Sequence, residues 1–318
     1  FVGSNPTPRT MSEHQSLYDG IARYINYLLS KKSLKPSTTE RKVRIVKSLL
    51  KNRVDLSNPD DVVKFLNVCS WASGTKDIAI HAYRDYLDML GLTTIQLPKI
   101  RREDKLPFIP LENELDATIS YARCKTCSFL RVLKDTAVRP VEAWRLKWLD
   151  IDIVNRCVTI TPAKYSRSRV LKISEQTLNM LLSLPRKNEY VFSVSGKTER
   201  FTDELEHFTR NYNKMRRRVA KKLQNPRIKL ISLKTFRHWK ATMEYIRTKD
   251  ILHVKEMLGH VNINNTLKYI HLANAITQQN DEFVCKVAQS VNDAKELIES
   301  GFDYVTDING LKLFKKRK

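Results

Sequence analysis

The chain is 318 residues long and carries 57 Lys+Arg against 34 Asp+Glu, a formal net charge of +23. Hydrophobic residues make up 42% and aromatics 8%, which excludes wholesale disorder, and the length suggests about two domains. No apolar run approaches the ~20 residues that span a bilayer, and Phe1–Pro6 lacks the charged start and apolar core of a secretory signal. The expectation is an intracellular, cytoplasmic protein with no membrane partner. Its surplus charge self-repels and is offset most simply by nucleic acid, with an anionic membrane surface second.

Phe1 to Thr10 form an N-terminal tail, and residues 11–95 read as a helical domain. Leu17, Ile21, Tyr24, Ile25 and Leu28 recur at helical spacing from Glu13 to Ser30. After a Lys-Lys-Ser-Leu-Lys-Pro break, Ser37 and Glu40 form a capping box for a second helix ending at Lys51. Asn58-Pro59-Asp60-Asp61 opens a third. Ser73-Gly74 opens a fourth, which Gly91 stops. The proline-bracketed stretch 96–107 is the linker.

A second, α+β domain follows over residues 108–275. Cys124-Lys125-Thr126-Cys127 lies in a helix-like stretch, Leu115 to Lys134, and has no second pair to complete a zinc site, so both thiols read as packing residues. Cys157–Thr161 and Arg169–Ile173 alternate at strand period and form a hairpin whose turn contains Lys164. Helices are expected over about 203–224, 234–247, 250–258 and 263–274. The tail, 276–318, reads as one helix over about 278–300 and a hairpin turning at Asn309-Gly310. The fold class is mainly α with a small β-sheet.

A cationic protein either coats DNA or cuts it. Cutting with metal needs clustered carboxylates, and here they are dispersed, so no metal set and no cofactor is expected. Cutting without metal needs a nucleophile, cations around the phosphate and a proton donor. Each candidate has an ordinary reading when taken alone. Arg139 would be a surface arginine, Tyr269 an amphipathic-helix tyrosine, Lys164 a turn lysine and His260 a helix-start histidine.

Together they make a pattern. Thr136-Ala137-Val138-Arg139, Glu142, Leu146, Trp148 and Asp150-Ile151 resemble the first arginine box of the tyrosine recombinases, the phage and plasmid integrases, with Ala137 in place of a glycine. Ser232–Thr242, with Arg237 and His238, is similar to the second box. Leu258-Gly259-His260 and Thr266-Leu267-Lys268-Tyr269-Ile270-His271 resemble the third, with a step of nine positions from His260 to Tyr269. The resemblance covers residues 108–275, and the N-terminal domain fits the family's core-binding domain by architecture.

The resemblance implies a site-specific recombinase that needs neither metal nor ATP. Tyr269 would attack the phosphate and form a 3′-phosphotyrosyl link. Arg139 and Arg237 would grip its oxygens with bidentate guanidinium groups. Lys164 would protonate the departing 5′ oxygen. His260 would donate a further hydrogen bond, and Glu142 would orient an arginine. The family's histidine three residues before the second arginine is Lys234 here. It acts either as a base with a depressed pKa or as a cation only, and it resembles the integrases of archaeal viruses and plasmids. His238 reads as structural.

DNA-binding candidates are Arg41, Arg44 and Lys47 on the second helix, Lys76 and Arg84 on the fourth, and Arg216, Arg217 and Lys221 in the second domain. For each, a solvated face is as good a reading as a phosphate contact. The implied partner is duplex DNA at attachment sites, bound by a homotetramer that is a monomer or weak oligomer when free. The protein would be nucleoid-associated when bound, and the tail helix would be exchanged between protomers. Phe1 to Thr10 can also be encoded by a sequence holding GTAGG, TTCGAAT and the complementary CCTAC, the T-arm of a tRNA gene. Fusellovirus-type integrases, by resemblance, carry a tRNA-overlapping attachment site inside their own gene. The plain alternative is a Pro/Ser tail whose codon degeneracy permits the match. Two rival functions stay open: a type IB topoisomerase, and a non-catalytic DNA-binding or architectural protein.

Overall fold

The computed structural model describes residues 11–101, 105–163, 166–277, 283–308 and 311–317. The chain divides into two compact units, Phe1–Lys105 and Leu106–Lys318. The first holds α1 (Met11–Asn26, continued by a wider turn over Tyr27–Lys31), α2 (Pro36–Lys51), α3 (Pro59–Val68) and α4 (Ser73–Met89). Thr39, Val43, Val46 and Leu49 are the buried face of α2, and the three apolar ones meet Tyr24, Leu28, Ala79, Tyr83 and Leu87 in one core. The Tyr24 and Tyr83 hydroxyls donate to the Ala82 and Leu56 carbonyls at 2.7 and 3.0 Å, so neither buried phenol is orphaned. Ile95, and Leu97 and Ile100 from the expected linker, pack against this core.

Asn58 caps α3 as its sequence predicts, accepting from Asp60 N. The Ser37–Glu40 box does not form. Pro36, with φ already helical, starts α2 before Ser37, and Glu40 binds Arg44 at 2.7 Å.

The second unit is built around α6 (Cys124–Thr136), which packs against α5 (Glu112–Ser120), α8 (Glu175–Leu182) and α10 (Leu233–Thr248). Phe129 of α6 meets the rings of Trp144, Phe192 and Phe208 at centroid distances of 5.7, 5.0 and 4.7 Å. α7 (Pro140–Trp144), α9 (Phe201–Lys222), α11 (Ile251–Leu258) and α12 (Asn264–Thr277) complete this part. Strands β1 (Ile151–Asp152), β2 (Cys157–Ile160) and β3 (Arg169–Lys172) form an antiparallel sheet in that order.

The expected helix over 115–134 is two helices. Thr118 and Ser120 turn their hydroxyls onto the Glu114 and Ala117 carbonyls, which favours ending the helix there. Cys124 is exposed in the first turn of α6 and Cys127 half-buried, so Cys124 is not a packing residue. The helix α8 and the strand β1 were not legible from periodicity.

The tail also departs from expectation. Residues 283–288 are a strand, β4 (Phe283–Ala288), rather than the first half of a helix, and α13 is confined to Val291–Glu299. β4 pairs with β6 (Leu311–Arg317), which also pairs with β5 (Asp303–Ile308), giving the order β4-β6-β5. The Asn309-Gly310 turn lies outside the described residues. Ser290 and Asp293 cap α13 reciprocally at 3.1 and 3.0 Å, so the helix begins there. Phe314, in the central strand, is the large apolar side chain buried in this module among the described residues. Phe314→Ala should therefore melt the module, at a local cost of about 3–5 kcal/mol. Hydrogen exchange should show lost protection over 283–317 with the amides of α6 and α10 unchanged.

Candidate active site

Two helix ends and one strand position the site. The last turn of α6 closes on Ala137, in the left-handed region at φ +55°, where the family pattern has glycine. α11 closes in the same way on Gly259 at φ +67°. Each reversal leaves a carbonyl free of the helix, and both face Arg237. Its Nη1 donates to Ala137 O at 2.6 Å and its Nη2 to Leu258 O at 2.8 Å. Arg237 is 7% exposed, and burial, then repulsion from Arg139, lowers its pKa to about 10. It stays charged at neutral pH, held by the negative ends of two helices.

Arg237 Nη2 also lies 3.0 Å from His260 Nε2. A guanidinium only donates, so His260 Nε2 accepts and its proton sits on Nδ1, facing Thr266 Oγ1 at 2.9 Å. Burial, with Arg237 and Arg139 next, pushes the His260 pKa down to about 3. In the free protein His260 is thus a neutral acceptor at Nε2, not the donor that the sequence reading expects there.

Arg139 precedes Pro140 at the start of α7. Its backbone N–H and its Nη1 both donate to Glu142, at 3.0 and 2.9 Å. The same carboxylate takes Arg169 Nη2 at 2.7 Å, and Arg169 Nε reaches Met257 O at 2.8 Å. Burial raises the Glu142 pKa, but the donors from Arg139 and Arg169 outweigh it and hold the carboxylate below its usual range. Glu142 thus bonds two arginines, Arg139 and Arg169.

Sequence reasoning missed Arg169, which reads as an ordinary strand residue. It also missed Ser166, whose hydroxyl accepts from Arg139 Nη1 at 2.9 Å and donates to Gly259 O at 2.8 Å. Lys164 lies outside the described residues. On either side of it, Ala163 N faces Glu142 at 3.4 Å and Ser166 faces Arg139.

Tyr269, on α12, is 1% exposed and packs among Ala137, Ala241, Val254, Leu258 and Leu272. Burial raises its pKa to about 12 against the pull of Arg237 and Arg139. Its hydroxyl lies 3.1 Å from His238 Nδ1. The histidine next to the second arginine was visible in the sequence, but the packing of α10 on α12 was not. Lys234 is exposed in the first turn of α10. Among the described residues no group of three or more His, Cys, Asp or Glu could hold a metal ion.

Of the DNA-binding candidates, Arg41, Arg44, Lys47, Arg217 and Lys221 are exposed, and Lys76 and Arg84 are half-buried. Arg216 turns inward, its guanidinium 5.8 Å from the centre of the Tyr212 ring, and burial lowers its pKa. Arg216 is therefore a packing residue more than a free cation.

A helical fold that gathers two arginines, a histidine and a tyrosine from three separated boxes defines a tyrosine-type site-specific recombinase. Residues 112–275, just over half of the chain, match the phage integrase family, and the chain belongs to it. It is 25% identical over 242 residues to the tyrosine recombinase XerA of Saccharolobus solfataricus, covering 74% of each chain. Its fold is similar to that of the Tn1549 transposon integrase in complex with transposon right end DNA (TM-score 0.60, 14% identity, 82% of this chain and 98% of that one). It is also similar to the lambda integrase tetramer bound to a Holliday junction (TM-score 0.60, 12% identity, 84% of this chain and 82% of that one). No helix among the described residues is long and apolar enough to cross a membrane.

A Cβ on Gly259 would meet Ser166 Oγ and Arg169 Nη1 at 2.8 Å and Arg167 O at 3.0 Å, at a φ that disfavours side chains. Gly259→Ala should cost about 1–3 kcal/mol and lower DNA cleavage more than tenfold by displacing the residues that hold Arg139 and Glu142. Gly91, at φ +78°, faces open space. Gly91→Ala should cost about 1 kcal/mol and leave cleavage unchanged, as thermal melts beside a cleavage assay would read.

Proposed function

We propose that this chain is an integrase that cuts and rejoins duplex DNA through a 3′-phosphotyrosyl link at Tyr269. The observation that carries the reading is the junction at Arg237. That guanidinium bonds the carbonyl two residues before Arg139, bonds His260, and acts electrostatically on Tyr269. Three guanidinium groups (Arg139, Arg169, Arg237) face one carboxylate, Glu142, and the surplus cation suits a phosphodiester. Arg139 and Arg237 grip the non-bridging oxygens, and Lys164 protonates the leaving 5′ oxygen. His260, once the phosphate offsets the cations beside it, takes up a proton and donates. Lys234, exposed, acts as a cation.

Residues 11–95 serve as the core-binding domain and 108–275 as the catalytic domain, with Arg41, Arg44, Lys47, Arg217 and Lys221 on phosphates. The assembly is a homotetramer on two attachment sites working through a Holliday junction, and the lambda integrase tetramer supports this by its shared fold. Lys234 supports placement near the archaeal virus and plasmid integrases. The target is a tRNA gene, whose T-arm sequence the codons for Phe1 to Thr10 can carry; those residues lie outside the described structure. Codons that break the GTAGG–CCTAC pairing would end that part alone.

Incubation with a nicked duplex carrying the T-arm sequence should give a covalent protein–DNA band that Tyr269→Phe abolishes. Strand exchange between two substrates marks the integrase, and relaxation of supercoils without exchange marks the topoisomerase. Tight, salt-sensitive binding with no band on any DNA marks the architectural protein.

A further inference from the structure

We infer that His238 is the general base of the cleavage step, taking the Tyr269 proton as the tyrosine attacks; this rests on the reading of Tyr269 as nucleophile. His238 Nδ1 stands 3.1 Å from the phenol oxygen. It is the hydrogen-bond partner of that oxygen among the described residues. In this assignment the phenol is the donor, which puts the lone pair on Nδ1 and the ring proton on Nε2.

The surroundings keep that lone pair available. His238 is half-buried on α10. The charges bearing on it are Lys268 from α12, and Arg237 and Lys234 from its own helix; all oppose a second positive charge. Two other helices, α6 and α11, pack against α10. α6 sets Lys134 over Trp239, and α11 sets His253 against Glu244. Burial and these cations hold His238 neutral, with a pKa near 4. A bound phosphodiester adds a negative charge beside the same cations, so the imidazole gains basicity as the substrate arrives.

Other groups are less suited. His260 has both ring nitrogens occupied, by Arg237 and Thr266. A lysine ammonium such as Lys234 donates and cannot accept. The step balances without a further reactant. The Tyr269 Oη–phosphorus bond forms, and the phosphorus–O5′ bond breaks. The phenol proton passes to His238 Nδ1, and a separate proton, assigned above to Lys164, passes to O5′. Religation runs the transfers backwards, with His238 returning its proton to the departing phenol.

Single-turnover cleavage of the nicked duplex tests the assignment. In His238→Asn the side-chain oxygen takes over the hydrogen bond but cannot take the proton. Its cleavage rate should fall about 10²–10⁴-fold with DNA affinity unchanged, and should then climb with pH between 7 and 9 while the wild-type rate does not. A substrate with sulfur at the 5′ bridging position, whose leaving group needs no proton, should rescue Lys164→Ala and fail to rescue His238→Asn. His238→Asn cleaving within threefold of wild type, rescue of that variant by the sulfur substrate, or a wild-type rate that itself climbs tenfold per pH unit above 7 would each overturn the proposal. The last reading needs no variant and holds even if His238→Asn fails to fold. A covalent band that survives Tyr269→Phe would instead overturn the nucleophile, a separate failure.

Discussion

The buried Arg237 guanidinium sets the terms for the packing around it in the second unit. A desolvated cation is costly unless its donors are satisfied, and no carboxylate bonds this one directly among the described residues. Two helix C-termini do so instead, α6 through Ala137 O and α11 through Leu258 O. Both helices must therefore end at the same place, each on a residue in the left-handed region so that the last carbonyls turn outward. That requirement explains why Ala137 accepts a conformation costly for a residue with a Cβ. It also explains why Gly259 leaves no room for one. Carbonyl dipoles stabilise the cation without neutralising it, so its charge is still available to a phosphate.

Glu142 solves the complementary problem. One buried carboxylate binds Arg139 at α7 and Arg169 on β3, and Arg169 continues to the Met257 carbonyl at the end of α11. Removing one partner of a buried pair costs about 3–5 kcal/mol, so the sheet, α7 and α11 are held to one another through this acid. Ser166 closes the circuit between Arg139 and Gly259. The site is therefore rigid where charge must be aimed, as electrostatic catalysis requires.

The boxes were legible because their signals are local. The turn after α6, the Pro140 helix start and the glycine ending α11 each depend on a few neighbouring residues. What sequence reading missed depends on contacts between distant residues. β4 forms because Phe283–Ala288 pairs with β6, more than twenty residues away, though the Ser290–Asp293 cap already marked where α13 had to begin. Arg169 becomes a strut only when β3 lies beside α7, and His238 meets Tyr269 only when α10 packs on α12. Arg216 looked like one more cation in a basic run, yet helical geometry turns it toward Tyr212.

A tyrosine at 1% exposure beside two arginines is held between opposite tendencies. Burial raises its pKa to about 12, while Arg237 and Arg139 pull the other way. The balance leaves a neutral phenol, which is a weak nucleophile among residues assembled to stabilise an anion. Thr266 and Tyr269 sit about one turn apart on α12 and bind His260 and His238 respectively. Any displacement of α12 that presents the phenol to a phosphate therefore also alters the bond that fixes the His260 tautomer. With Tyr269 as the proposed nucleophile and His260 as the proposed phosphate donor, nucleophile delivery and phosphate grip are coupled through one helix.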